Sequence, residues 1–242
     1  MRYVDIGFAS LLKNRKQLEH FLLQNKNFIE AMGPVDVGKG SPDIVSRMSV
    51  AAKKFGVGPM ASVAGALADL CLEEILSRGA EFGMVENGGE IAVNGMDRLL
   101  VSIFAGDSPL SNRLGLQLTS RDLPIGIGTS SATVGHAKSL GEADAAVAIC
   151  DNACLADAAA TAIGNQVCGP DLHKSISRAL KKVSKFPDLR GAVIIRGAWI
   201  GTWGELPQFV KISRSFKKDD ELLFSVMNRS TKTSVTELRS FE

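Results

Sequence analysis

The stretch Leu155-Ala156-Asp157-Ala158-Ala159-Ala160-Thr161-Ala162-Ile163-Gly164-Asn165 constrains this chain more than any other. Alanine dominates it and neither Gly nor Pro interrupts it before Gly164, so it reads as a helix. Its small side chains leave room for a ligand or another backbone to come close. Asp157 and Thr161 are four residues apart, so both oxygens project from one helix face. A carboxylate and a hydroxyl with no Lys or Arg between them suit a hard cation such as Mg²⁺, completed by waters, carbonyls and phosphate oxygens. The same residues also fit a plain packing helix, with Asp157 solvated and Thr161 bonded back to its own turn. Alone, the pair leaves both readings open.

Two further segments bear on that choice. In Met84–Val93, two β-rich runs flank Asn87-Gly88-Gly89, which predicts a strand, a sharp glycine kink and a continuing strand. Consecutive glycines reach positive φ and let a ligand touch the main chain. An ordinary hairpin turn is the alternative, since Asn-Gly is a strong hairpin signal. Glu86 and Glu90 bracket the glycines, and two acids beside an amide read as a lined site. In Gly126–His136, the hydroxyls of Thr129, Ser130, Ser131 and Thr133 lie among glycines and end at His136. This predicts a loop whose N–H and hydroxyl donors hold an anion. It is neither a Walker loop nor a dinucleotide fingerprint. The three segments are expected to share one pocket, with His136 near its rim.

A coarse pass predicts helices near 12–32, 42–55, 60–78, 152–167 and 172–186. Strands are expected near 81–86, 90–94, 98–104, 112–119, 145–150, 191–198 and 207–213. The helix over 60–78 is apolar nearly all round and should be buried against a sheet. The elements mix without the regular alternation of a doubly wound sheet, which argues α+β. Charge is nearly balanced, with 28 basic and 26 acidic residues, so no nucleic-acid footprint stands out. No apolar run approaches the roughly 18 residues of a membrane span, and Asp5 interrupts the N-terminal apolar stretch, so no membrane partner is expected and the cytoplasm is the default.

The cysteines at 71, 150, 154 and 168 form no C-x-x-C pair, and disulfides are not expected. Cys154 opens the Asp157 helix, where a positive helix end lowers a thiol's pKa; a small buried residue is the favoured alternative. The histidines show no zinc spacing, and only His136 falls in a candidate site, as a structural or catalytic imidazole.

In chain order, Met60-Ala61-Ser62-Val63-Ala64-Gly65-Ala66-Leu67-Ala68, Glu86-Asn87-Gly88-Gly89-Glu90-Ile91, Thr129-Ser130-Ser131 with His136, and Ala156-Asp157-Ala158-Ala159-Ala160-Thr161 resemble the ApbE-like superfamily. Its best-known members are FAD:protein FMN transferases. Gly56-Val57-Gly58-Pro59-Met60-Ala61 is similar to an anaerobe-associated branch of it. The resemblance runs from about Pro42 to Gly204.

It implies a T-fold-like ApbE architecture, an antiparallel sheet with long helices packed on one face. The expected organisation is a single domain over 1–215 and a polar extension over 216–242, with 222–226 forming a short strand or the tail partly disordered. The resemblance further implies Mg²⁺ on Asp157, Thr161 and a main-chain carbonyl assigned to Ala61. FAD would lie against Asn87, Gly88, Gly89, Glu90, Thr129, Ser130, Ser131 and His136. In the transferases the metal bridges the FAD pyrophosphate, and FMN passes to a Thr or Ser of a target protein.

This chain departs from that pattern. The Lys-Gly pair of the transferases is missing near Ser62 and Val63, and the segment after His136 is short. The branch also implies Cys where Gly128 stands. The expectation is therefore a flavin-nucleotide site with weak or no FMN transfer, or FAD pyrophosphate hydrolysis. The alternative is an accessory protein or sulfur carrier in anaerobic sulfur assimilation, towards homocysteine formation, which needs an activated thiol. A small-molecule nucleotide is the implied partner, and a homo-oligomer is compatible.

Overall fold

The computed structural model describes residues 2–95, 98–133, 140–212 and 233–237. The expectations for His136 and for 222–226 lie outside the described residues. In chain order the elements are α1 (Tyr3–Gln24), α2 (Lys26–Glu30), α3 (Asp43–Phe55), a 3-10 turn (Pro59–Ser62) and α4 (Val63–Ser77). Then come β1 (Gly83–Asn87), β2 (Glu90–Asn94), β3 (Arg98–Ser102), β4 (Leu114–Thr119), β5 (Ile125–Ser130) and β6 (Ala145–Cys150). The rest are α5 (Ala153–Gly164), α6 (Leu172–Val183), β7 (Gly191–Arg196), β8 (Trp199–Gly204), β9 (Gln208–Lys211) and β10 (Ser234–Glu237). The chain divides into two compact units, the first made of Met1–Met96, Leu123–Thr129 and Cys150–Ala162, the second of the remainder.

In the first unit, β1, β2 and β5 lie in that order and pair antiparallel. One face is covered by α4 and α5, and Ala68 and Leu72 of α4 cluster with Ala92 of β2 and Ala153 of α5. The small residues of α4 and α5 allow this closeness. A Cβ at Gly126 would collide with the backbone of Asn152, and one at Gly128 with that of Ala156. The helix therefore rests on the bare main chain of β5, and the branch's cysteine has no room at Gly128 as this backbone stands. Outside α4 lie α1 and α3. Amphipathic spacing explains α3, which buries Ile44, Val45, Met48, Ala51, Ala52 and Phe55 and ends at Gly56 with φ 69°.

The second unit holds β6-β7-β8-β10 in that order, with β7 paired antiparallel to β6 and β8, and β8 to β10. Helix α6 packs on β7, β8 and β10. A separate antiparallel sheet runs β3-β4-β9. Arg196 fastens the connections by donating to the Gly169 carbonyl (2.7 Å) and Ser175 Oγ (2.8 Å) while pairing with Glu142. The α+β class and the antiparallel pairing agree with the sequence. No single helix among the described residues is long and apolar enough to cross a membrane.

Three local expectations are corrected. Asn87-Gly88-Gly89 is not a kink inside one strand. Asn87 pairs with Glu90 across a two-residue turn in which Gly88 has φ 71° and Gly89 φ 110°, the positive values that suit the twist of a tight hairpin. Residues 125–130 are not a loop but strand β5, whose glycines serve helix packing. Residues before 12 are helical too, because α1 starts at Tyr3.

Gly126→Ala is expected to destabilise the fold by roughly 1–3 kcal/mol through overpacking, read as a lower thermal unfolding midpoint. Gly38→Ala, with open space where its Cβ would go, should leave the midpoint unchanged.

Candidate functional site

The site grows from the way α4 and α5 meet. The two helices run antiparallel, and each supplies a carboxylate to the other's N-terminus. Asp157 of α5 accepts the Gly65 N–H at 2.9 Å and also that of Ala64, in the first turn of α4. Asp69 of α4 accepts the N–H groups of Ala153 and Cys154, each at 2.8 Å, in the first turn of α5. These are among the N–H groups that a helix cannot satisfy internally, and they carry the positive end of its dipole. Asn152 completes the α5 cap by accepting the Leu155 N–H at 2.9 Å. Only glycine fits at position 65, where a Cβ would run into the Ala153 carbonyl.

The β1–β2 hairpin joins at the same point. Asn87 Nδ2 donates to the Ala64 carbonyl at 3.1 Å, and Glu86 accepts the Gly89 N–H at 3.0 Å. The Glu90 side chain is 7% exposed and accepts the Thr129 N–H. A Cβ at Gly88 would lie 3.7 Å from Glu90 Oε2, and one at Gly89 3.9 Å from Thr129 Cβ. Asn87, Gly88, Gly89, Glu90, Thr129 and Asp157 therefore surround the start of α4.

Burial pushes the Glu90 carboxyl up to about 7, aided by the charge of Glu86 and opposed by its N–H donors. Burial likewise holds the Asp157 carboxyl well above the usual range, with Glu90 adding repulsion and the Gly65 and Ala64 N–H groups working against both. The charges of Glu90 and Asp157 thus work against each other at the start of α4.

Of the remaining residues singled out in the sequence, Thr161 sits one turn beyond Asp157 on α5 and is half-buried. Ala61 lies in the 3-10 turn that leads into α4, its N–H donating to the Gly58 carbonyl at 3.1 Å. Ser130 and Ser131 fall in the second unit. Ser130 Oγ would lie 3.4 Å from a Cβ at Gly164, and Ser131 Oγ accepts the Thr133 N–H at 3.1 Å, closing a local turn. Cys154 is not an activated thiol: it is 3% exposed, and burial pushes its pKa up, with the charges of Asp69 and Asp157 adding to that. It is the small buried residue that the sequence favoured, and the helix end that could have activated it is taken by Asp69.

Asp69 itself was not singled out in the sequence. The available signal was a lone acid inside Ala66-Leu67-Ala68-Asp69-Leu70, one helical turn after Gly65. Among the described residues no three His, Cys, Asp or Glu side chains come close enough to hold a metal by themselves.

The AbpE bacteria family model matches residues 7–197. A UPF0280 protein of Methanocella arvoryzae is 38% identical over 216 residues, 89% of this chain and 86% of its own length. A UPF0280 protein of Methanocaldococcus jannaschii is 36% identical over 206 residues, 84% and 83% of the two chains. Among solved structures, similarity extends to the ApbE protein of Thermotoga maritima, with TM-score 0.42, 17% identity, and 57% of this chain and 48% of that one covered. The apo form of the Pseudomonas stutzeri flavinyl transferase ApbE gives TM-score 0.41 and 18% identity, covering 69% and 50%.

Burial raises the Asp69 carboxyl from 3.8 to about 6, against the pull of the two N–H groups it accepts. The folded protein therefore keeps a proton there that the unfolded chain releases, and stability falls as pH rises between those values. Measured by chemical denaturation, Asp69→Asn should gain on the wild type as pH rises from about 4 to 6 and hold a constant offset above. A pH-independent difference would contradict this. Asp69→Ala strands two buried N–H groups and should be the least stable at every pH, by about 1–3 kcal/mol for each group.

Proposed function

The chain belongs to the AbpE bacteria family, within the ApbE-like superfamily, and from that premise we propose that its first unit binds a flavin nucleotide, FAD, through its pyrophosphate together with Mg²⁺. The observation that supports this reading is the meeting of Asp157 and Glu90 at the start of α4, beside a glycine hairpin. Both carboxyls are pushed up by burial and by neighbouring acids, and only backbone N–H groups offset the charge. A hard cation would relieve that repulsion. Mg²⁺ needs only one or two carboxylates when waters and phosphate oxygens fill its shell, so the absence of a larger acidic cluster among the described residues is compatible with it.

In this reading Asp157 and Thr161 hold the cation, with Ala61 as the carbonyl donor. Bound there, the ion neutralises pyrophosphate charge as a Lewis acid. The chain's own residues supply the setting. Gly88 and Gly89 let the nucleotide lie against main chain, and Glu90 and Thr129 are tied together behind them. Ser130, Ser131 and His136 belong to this reading through the family resemblance alone.

Transfer chemistry is the weaker part. Moving FMN to a hydroxyl needs that hydroxyl held in line and activated, which depends on fine placement, whereas binding spreads over many contacts. The Lys-Gly pair is missing near Ser62, and the segment after His136 is short. We therefore read the protein as a flavin binder with weak or no transfer. A sulfur-carrier role would need an exposed, activated thiol, and Cys154 is neither.

Calorimetric titration of the protein with Mg²⁺ and FAD together should show binding. Thr161→Val should weaken it about tenfold, or about 1.4 kcal/mol, with an unchanged unfolding midpoint. Equal affinities for wild type and variant would sink the metal assignment. Incubation with FAD, Mg²⁺ and a protein carrying a flavinylation motif should leave the acceptor's mass unchanged; efficient FMN addition would restore the transferase reading.

A further inference from the structure

Helix α1 exposes an apolar stripe that its packing on α4 does not use. Its inward face buries Gly7, Ser10, Asn14 and Leu18, mostly small or polar residues. Ser10 Oγ donates to the Leu70 carbonyl at 3.1 Å, Asn14 Nδ2 to the Ser10 carbonyl at 2.9 Å, and a Cβ at Gly7 would lie 2.9 Å from Ile75 Cδ1. Ile6, Leu11, Phe21 and Leu22 are half-buried, whereas Val4 is 77% exposed, Phe8 61% and Leu12 41%. These three recur every four residues and form one stripe along the helix. A surface helix ordinarily turns such a stripe inward. An exposed apolar stripe rimmed by charge is the mark of a docking surface.

The charges beside the stripe select the occupant. Asp5 lies near its N-terminal end, and Arg15 and Lys16 lie beyond its C-terminal end. We propose that two copies of this chain pair through α1, antiparallel about a two-fold axis passing between Phe8 and Leu12. In that register Phe8 of one copy packs on Leu12 of the other, and Asp5 comes within a turn of Arg15 and Lys16 of the second copy. Symmetry repeats both contacts. The helix dipoles oppose each other favourably. A parallel pairing would instead set Asp5 against Asp5 and Lys16 against Lys16. Within its own chain Asp5 accepts the Arg2 N–H at 3.2 Å in the α1 capping box and lies 3.8 Å from the 87% exposed Arg2 side chain, while Arg15 Nε donates to Glu19 at 2.8 Å. Exposed ion pairs of this kind are worth little, so both side chains can engage a second copy.

One helix stripe buries less than the roughly 800 Å² per partner of a standard interface, so the dimer is reversible and depends on concentration.

Sedimentation velocity over a concentration series tests this. The full chain should pass from monomer to dimer as concentration rises. Phe8→Glu should abolish the dimer and leave the unfolding midpoint unchanged at concentrations where both proteins are monomeric, because the side chain is exposed. Arg15→Asp and Lys16→Asp together should weaken the dimer at least tenfold, and adding Asp5→Lys should restore association. A chain that stays monomeric throughout overturns the proposal, as does a dimer indifferent to Phe8→Glu. A dimer lost with Phe8→Glu, but not restored by Asp5→Lys in the charge-reversed background, overturns the antiparallel register.

Discussion

Everything in the first unit depends on the exchange of carboxylates between α4 and α5. A buried helix N-terminus is costly, because its first N–H groups have no partner inside the helix. Here two such ends are buried side by side, and each is satisfied by an aspartate from the middle of the opposite helix. The exchange works only if the helices are antiparallel and close to backbone contact. Gly65, Ala153 and Ala156 provide that closeness on the helices, and Gly126 and Gly128 provide it on β5. Small side chains that look permissive in the sequence are thus strict geometric requirements.

The cost of the arrangement is electrostatic. Asp69, Asp157 and Glu90 all have carboxyls raised by burial, and Asp157 and Glu90 also repel each other. A fold seeking stability alone would satisfy these N–H groups with neutral acceptors such as Ser or Asn. Retaining acids instead leaves groups that a bound cation would deprotonate at the point where the glycine hairpin arrives. Perturbed carboxyls held against exposed main chain are a feature of functional sites, although structural networks produce them as well.

Much of this was legible in the sequence, for identifiable reasons. The Ala-rich composition of 155–165 and the all-round apolarity of 60–78 require burial, so both helices and the α+β class were readable. The Asn87-Gly88-Gly89 and Asp157 segments were readable as neighbours because each carries polar groups with no obvious structural use. Strand β5 was missed because its glycines and hydroxyls look like an anion loop; the packing of α5 that makes them a strand is a long-range contact. Asp69 was missed for a similar reason: a lone acid in an apolar helix gains meaning only when its acceptor role, 84 residues away, is known. Cys154 shows the converse, since its favourable position at a helix end is cancelled by burial and by a carboxylate already there.

The same logic separates the outer layer of this unit from its centre. Helix α4 must have small residues towards α5 and β5, yet its other side must still receive α1. It does so with the Ile75 side chain against Gly7 and with the Leu70 carbonyl accepting from Ser10, and α1 answers with small residues along part of its inner face. Val4, Phe8 and Leu12 are exposed and lie outside that contact. Their outward position is a consequence of how the core is built, and their alignment in one charge-flanked stripe is the part that the core does not explain.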